Sequence, residues 1–239
     1  MKSLENLCRA FYSAWDMMID VPLPESRDNG YFYENNFLTS VMIPAVGAVP
    51  GILLAALGTV LDKSVAGSIL WAFAAVIVSE LITSGRAGKF VADSLTKLIF
   101  RQSSECFVNS VVTFLMLFKL AAFYLISYSG NTGFAVLLFV LVFAFEMYLV
   151  TFPEKNAILA LEPEDKHWAL YLFPAMVVFL WFWSFPPAVL SSAAAVYGVA
   201  VLFRKRVWQE DHVISADDVT LCAGCAEFAI LICAIIFLG

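Results

Sequence analysis

The sequence predicts an all-α fold, a polytopic integral membrane helical bundle of about seven transmembrane helices, and three observations carry that prediction. Hydrophobic residues make up 62% of the 239-residue chain and its mean hydropathy is +0.85, well above the ~45–50% apolar usage of soluble domains. Seven apolar runs, near 41–62, 66–84, 110–129, 133–151, 168–186, 187–203 and 219–238, each approach the ~20 residues that a bilayer crossing needs. Twelve of the 14 Lys and Arg residues, all but Lys63 and Lys119, share one side if those runs alternate across a membrane.

An N-terminal segment, 1–40, precedes a single transmembrane domain, 41–239. The segment mixes charges with short apolar stretches and has no long hydrophobic region, so no cleavable signal peptide is expected. Within it, Leu4, Leu7, Ala10, Phe11 and Trp15 have the spacing of an amphipathic helix over Leu4 to Ile19, lying at the membrane interface and ended by Pro22.

The segment carries Lys2, Arg9 and Arg27; loop 85–109 carries Arg86, Lys89, Lys97 and Arg101; loop 152–167 carries Lys155 and Lys166; loop 204–218 carries Arg204, Lys205 and Arg206. Positive residues mark the cytoplasmic side, which places the N-terminus and the large loops inside, the C-terminus outside, and the chain in the plasma (inner) membrane. The other side has only Asp62-Lys63, the uncharged turn from Ser127 to Gly133, the break at Phe185-Pro186-Pro187 and the C-terminus. A re-entrant turn at that break would give six spans and an internal C-terminus; the charge bias favours seven. The aromatic run from Phe179 to Phe185 fits an interfacial belt.

A net charge of −6 with no basic face excludes nucleic acid as a partner. Cys8, Cys106, Cys222, Cys225 and Cys233 are dispersed and form no disulfide framework; the Cys222-Ala-Gly-Cys225 spacing fits small helix-packing residues better than a metal site. Glu80, Lys119, Glu146 and Glu227 lie inside apolar runs. Charge at that depth is costly unless paired, so all four are expected to face the bundle interior. They form either structural pairs, such as Lys119 with Glu146 on adjacent helices, or a polar floor beneath a cytoplasmic active site. A transport pathway would need polar positions opening to both sides, whereas here they crowd one side. Asp93, Glu105, Asp217 and Asp218 gather with Arg86, Lys89, Lys97 and Arg101 in two loops of that side. Acids that can hold Mg²⁺ beside cations that can take phosphate oxygens suit a diphosphate substrate; the alternative is a solvated loop obeying the positive-inside rule.

Four segments in order resemble the cobalamin synthase family, adenosylcobinamide-GDP ribazoletransferase. Val21-Pro-Leu-Pro24, followed by Ile43-Pro-Ala-Val-Gly47 and Gly51, is similar to the family's N-terminal signature. Ser84-Gly85 through Asp93 falls on its acidic motif, Arg101-Gln102-Ser103 on its Arg-Asp-Ser, and Lys119 close to a family lysine. Ala216-Asp217 through Ala226-Glu227 resembles its C-terminal motif, with Asp217 on the aspartate and Glu227 on the last glutamate. The chain departs from the pattern at Lys89 and Thr96, where the family has its first and third aspartates, at Ala87 for a histidine, at Gln102 for an aspartate, at Glu146 for an arginine and at Gly224 for a glutamate.

The resemblance implies a reaction in which the hydroxyl of α-ribazole, or of its 5′-phosphate, attacks the cobinamide-linked phosphorus of adenosylcobinamide-GDP to give adenosylcobalamin, or its phosphate, and GMP. It implies Mg²⁺ on Asp93 with Asp217 or Asp218, catalytic roles for Asp93, Asp217 and Glu227, and substrate binding by Arg101, Lys89 and Lys119. The partners it implies are the two substrates, the lipid bilayer, and either a second copy of the chain or other proteins of the cobalamin pathway. The missing acids leave a second reading, a catalytically degenerate homologue that binds a ligand or holds other proteins at the membrane.

Overall fold

The structure, a computed structural model, describes residues 2–19, 36–61, 64–82, 85–100, 105–151, 186–207 and 215–238. These residues form eight helices: α1 (Lys2–Met18), α2 (Asn36–Val60), α3 (Val65–Ile82), α4 (Arg86–Phe100), α5 (Glu105–Tyr128), α6 (Phe134–Thr151), α7 (Pro186–Val207) and α8 (Ala216–Leu238). Five of them, α2, α3, α5, α6 and α8, are long and apolar enough to cross a membrane. In α7 the apolar stretch is shorter, Pro187–Leu202. The fifth expected span, 168–186, lies outside the described residues except for Pro186, as does the aromatic run before it.

Three boundaries have a local cause in hydrogen bonding or backbone conformation. Ser64 caps α3 by accepting a hydrogen bond from Gly67 N at 3.1 Å. Gly130, at a φ of 76°, ends α5 in a Schellman turn: its N–H donates to Ser127 O, and Asn131 N donates to Ile126 O. That tight reversal, free of charge, feeds directly into α6. Gly85, at a φ of 70°, turns the chain from α3 into α4.

Helix α6 is the axis of the bundle. Of the residues in its apolar window 83% are buried, as expected for a helix that is apolar on every face. It packs against α2, α7 and α8, while α5 packs against α3, α4 and α8. Helix α8 therefore lies between α5 and α6, although these two are consecutive in the chain.

Helix α2 sets Gly47 and Gly51 against α6, and Gly58 against the turn that precedes α6. A Cβ at Gly47 would sit 2.6 Å from Phe143 Cγ, one at Gly51 would sit 2.6 Å from Val136 Cα, and one at Gly58 would run into Thr132. Small residues at such spacing let two membrane helices approach closely. Trp71 fixes α3 to α2 by donating from Nε1 to Leu54 O at 2.7 Å. Around the outside, Ile52, Leu53, Ile69, Phe73, Ile77, Phe114, Leu117, Ile232 and Ile236 are exposed. Large apolar side chains turned outward from four of the long helices suit a helical membrane bundle.

The N-terminal amphipathic pattern falls on α1, which packs against α2, buries Ala10 and Ala14, and leaves Leu4 and the Arg9–Glu5 pair exposed. The segment read as loop 85–109 contains a helix instead. Ala87, Gly88, Val91, Ala92 and Thr96 form the buried face of α4, and Lys89 and Lys97 stand exposed on its other side. Its apolar positions recur at helical spacing among the charges.

Candidate functional site

Four helices bring their polar residues to one place. Lys119 of α5 is fully buried. Its ammonium nitrogen donates to Ser79 Oγ at 2.9 Å and to Glu80 Oε1 at 2.7 Å, and stands 2.8 Å from Glu227 Oε2. Ser79 in turn donates to Glu227 Oε1 at 2.5 Å. Below the ammonium, 5.2 Å away, lies the ring of Phe228, close enough for a cation–π contact. Helices α3, α5 and α8 are thus tied by one network in which both oxygens of Glu227 are occupied. Such pairing is what makes charge tolerable at this depth.

Glu146 of α6 is 7% exposed, and its Oε2 has no hydrogen-bond partner among the described residues. It lines a cavity with Ser79, Ala87, Phe143, Gly224 and Glu227. The expected Lys119–Glu146 pair is not formed. The ammonium has three N–H groups, and Ser79, Glu80 and Glu227 surround it; α8 separates α5 from α6. All four ionisable residues of the apolar runs do face the interior, with Glu80 the most accessible at 19%.

Helix α4 covers this end of the bundle. It packs on α5 and α8 through small residues: a Cβ at Gly224 would lie 3.0 Å from Val91 Cγ2 and 3.3 Å from Ala87 Cβ, and one at Gly88 would meet Met116 Cε. Gly224 stands where the family pattern has a glutamate, and a larger side chain would push α4 away. Val91, Ala92, Val108, Leu115, Leu221 and Phe228 form a small separate core under α4.

The remaining expected site residues occupy the outer surface of this region. Asp93, half-buried, accepts a hydrogen bond from Lys97 one turn on, at 2.5 Å. Lys89 is exposed, and Asp217 is exposed in the first turn of α8. Asp218 is buried in a capping box: it accepts from Ser215 N at 3.2 Å and from Ser215 Oγ at 2.8 Å, while its own N–H donates to Ser215 Oγ. Arg101 lies outside the described residues.

For Mg²⁺ the fit is poor. Among the described residues no three His, Cys, Asp or Glu side chains come together as a metal set, Asp93 is engaged by Lys97, and Asp218 is engaged by the cap. Cys222, for its part, packs in the core with Ala223 and Ala226.

Ser79 is the member of this network that the sequence does not flag, and Glu80, expected among the inward-facing charges, is here a direct partner of Lys119. The signal is a Ser-Glu pair near the end of an otherwise apolar run. Compared with known protein families, with curated proteins and with solved structures, the chain matches none.

Proposed function

We propose that the chain is a membrane-embedded transferase of the ribazoletransferase kind, joining adenosylcobinamide-GDP to α-ribazole, or its 5′-phosphate, at the end of the bundle covered by α4. The observation that carries this reading is the contact of Lys119 with Glu227 at 2.8 Å. Both positions come from the resemblance, they are 108 residues apart in the chain (227 less 119), and they meet in one buried network directly beneath α4.

In this reading the end covered by α4 faces the cytoplasm of a plasma (inner) membrane protein with about seven spans, an internal N-terminus and an external C-terminus. The hydroxyl oxygen of the acceptor bonds to the cobinamide-linked phosphorus as the bond to the GMP oxygen breaks. Lys119 is enclosed with three oxygens around it, so it acts with Glu227 as a positioning residue that holds α3, α5 and α8 in register. Lys89 and Asp217, both exposed, are the described residues that would meet the substrate in this reading, and the resemblance adds Arg101. Such a reaction gains chiefly from orientation of the two substrates, which a network locking three helices would supply.

The test is GMP release from adenosylcobinamide-GDP by the purified full chain in liposomes with α-ribazole, with and without Mg²⁺. We expect release above the protein-free rate, lowered by about tenfold or more in Asp217→Asn. A folded protein that releases no GMP yet binds adenosylcobinamide-GDP would select a second reading, the degenerate binding homologue. That reading is favoured by one observation, the engagement of Asp93 and Asp218 in structural contacts. Neither release nor binding would overturn both.

A further inference from the structure

We propose that the cavity between α3, α6 and α8 is a binding site for one small monovalent cation of the Na⁺ class, held by the Glu146 carboxylate. A buried carboxylate needs a partner, because an isolated charge in a low-dielectric interior is strongly unfavourable. Glu146 is 7% exposed, and its Oε2 is unpartnered among the described residues. The nearest fixed cation is already engaged: the three N–H groups of Lys119 meet Ser79, Glu80 and Glu227. Glu146 is therefore neutralised from outside the network, by a bound cation or by a proton, and the lining of the cavity points to the cation.

The cavity has the size and lining for such an occupant. Its volume is about 20 Å³, room for roughly one water-sized guest. Three helices contribute an oxygen-bearing residue to its lining. Glu146 supplies a free carboxylate oxygen, Glu227 Oε1 keeps a lone pair beyond the one that accepts from Ser79, and Ser79 Oγ keeps one beyond the one that accepts from Lys119. The rest of the lining, including Phe143, Ala87 and Gly224, is apolar or small. Charge selects the class of ion. Lys119 is shared by Glu227 and by Glu80, which is the more accessible of the two at 19% and lies outside the cavity lining; of the two carboxylates at the cavity one is thus matched by the ammonium and a single positive charge balances the other, whereas a divalent ion would call for more anionic ligands. The site stands whether or not the chain is a transferase.

The experiment measures the thermal unfolding midpoint of the purified full chain in detergent at one pH, with NaCl replacing choline chloride at constant ionic strength. Saturating Na⁺ is expected to raise the midpoint by roughly 5 °C, since a ligand bound only by the folded state stabilises it by mass action. Glu146→Gln keeps the shape, removes the charge and should abolish the rise. Glu146→Asp should keep it but require more Na⁺ to reach half of it. Equilibrium binding of ²²Na⁺ to the wild type gives a second readout, expected at one ion per chain. The proposal is overturned by an equal rise in Glu146→Gln, by no rise and no bound ²²Na⁺ in the wild type, or by a midpoint that follows pH and ignores Na⁺, which would leave a proton as the occupant.

Discussion

Two seams hold this bundle together, and they use opposite chemistry. Along α2 and α6 the contact is dry: Gly47, Gly51 and Gly58 bring the backbones together, and Phe143, Val136 and Thr132 fill the space where side chains would have been. Along α3, α5 and α8 the contact is ionic, with Lys119 at the centre of Ser79, Glu80 and Glu227. Between membrane helices lipid competes equally for apolar surface, so close packing and polar contacts supply the specificity. The dry seam needs only shape. The ionic seam depends on paired charge, with Lys119 shared between Glu80 and Glu227, and it adjoins the exposed charges of α4; both seams border the cavity, through Ser79 and Glu227 on one and Phe143 on the other. The lesson is one of location: the chain concentrates its costly groups in the half of the bundle where a function can use them.

The largest effect should come from breaking the ionic seam on one side only. Lys119→Met leaves Glu80 and Glu227 facing each other without a cation, and removing one partner of a buried pair costs about 3–5 kcal/mol. Adding Glu227→Gln should restore a substantial part of that, because the second change removes a charge the first one stranded. Unfolding of the detergent-solubilised chain by sodium dodecyl sulfate measures both. If the double variant proves less stable than the single, the network is not the electrostatic unit described above.

Next in size is the dry seam. Gly51→Val would place a Cβ 2.6 Å from Val136 Cα and 2.9 Å from Ala135 O, and backbone atoms cannot swing aside as a flexible side chain can. Overpacking of this kind costs about 1–3 kcal/mol, and the same unfolding titration should report it. Unlike Lys119→Met, this variant should show no rescue by any neutralising change at Glu80 or Glu227. A rescue would mean that the two seams are coupled through α8.

How much of this was readable beforehand differs between the seams. The apolar runs gave the long helices because length and hydropathy are properties of a continuous segment, and the one-residue cost of a buried charge gave Glu80, Lys119, Glu146 and Glu227 as inward-facing. The partners were not readable. Pairing Lys119 with Glu146 assumed that consecutive helices pack side by side, and the insertion of α8 between α5 and α6 is a tertiary fact without a local signal. Helix α4 was readable but missed: Ala87, Val91 and Ala92 return at helical spacing among the charges that dominated the reading of 85–109. Ser79 was missed because a hydroxyl in an apolar run is neutral in cost, and only its place between Lys119 and Glu227 makes it part of the site.

The smallest effect lies at the rim of the ionic half, and it separates two roles for one acid. Asp218 was expected to share a metal with Asp93 and Asp217, yet it reaches back to Ser215 as half of a capping box. If the cap is its role, Ser215→Ala should cost about 1 kcal/mol, and Asp218→Asn should cost no more, since an amide oxygen can still accept from the Ser215 hydroxyl. Both losses should be the same with Mg²⁺ present or absent. A metal role makes the contrary demand: Mg²⁺ would raise the unfolding midpoint of the wild type and of Ser215→Ala alike, and would leave Asp218→Asn unmoved. The sign of that one difference decides whether α8 begins with a structural cap or with a ligand.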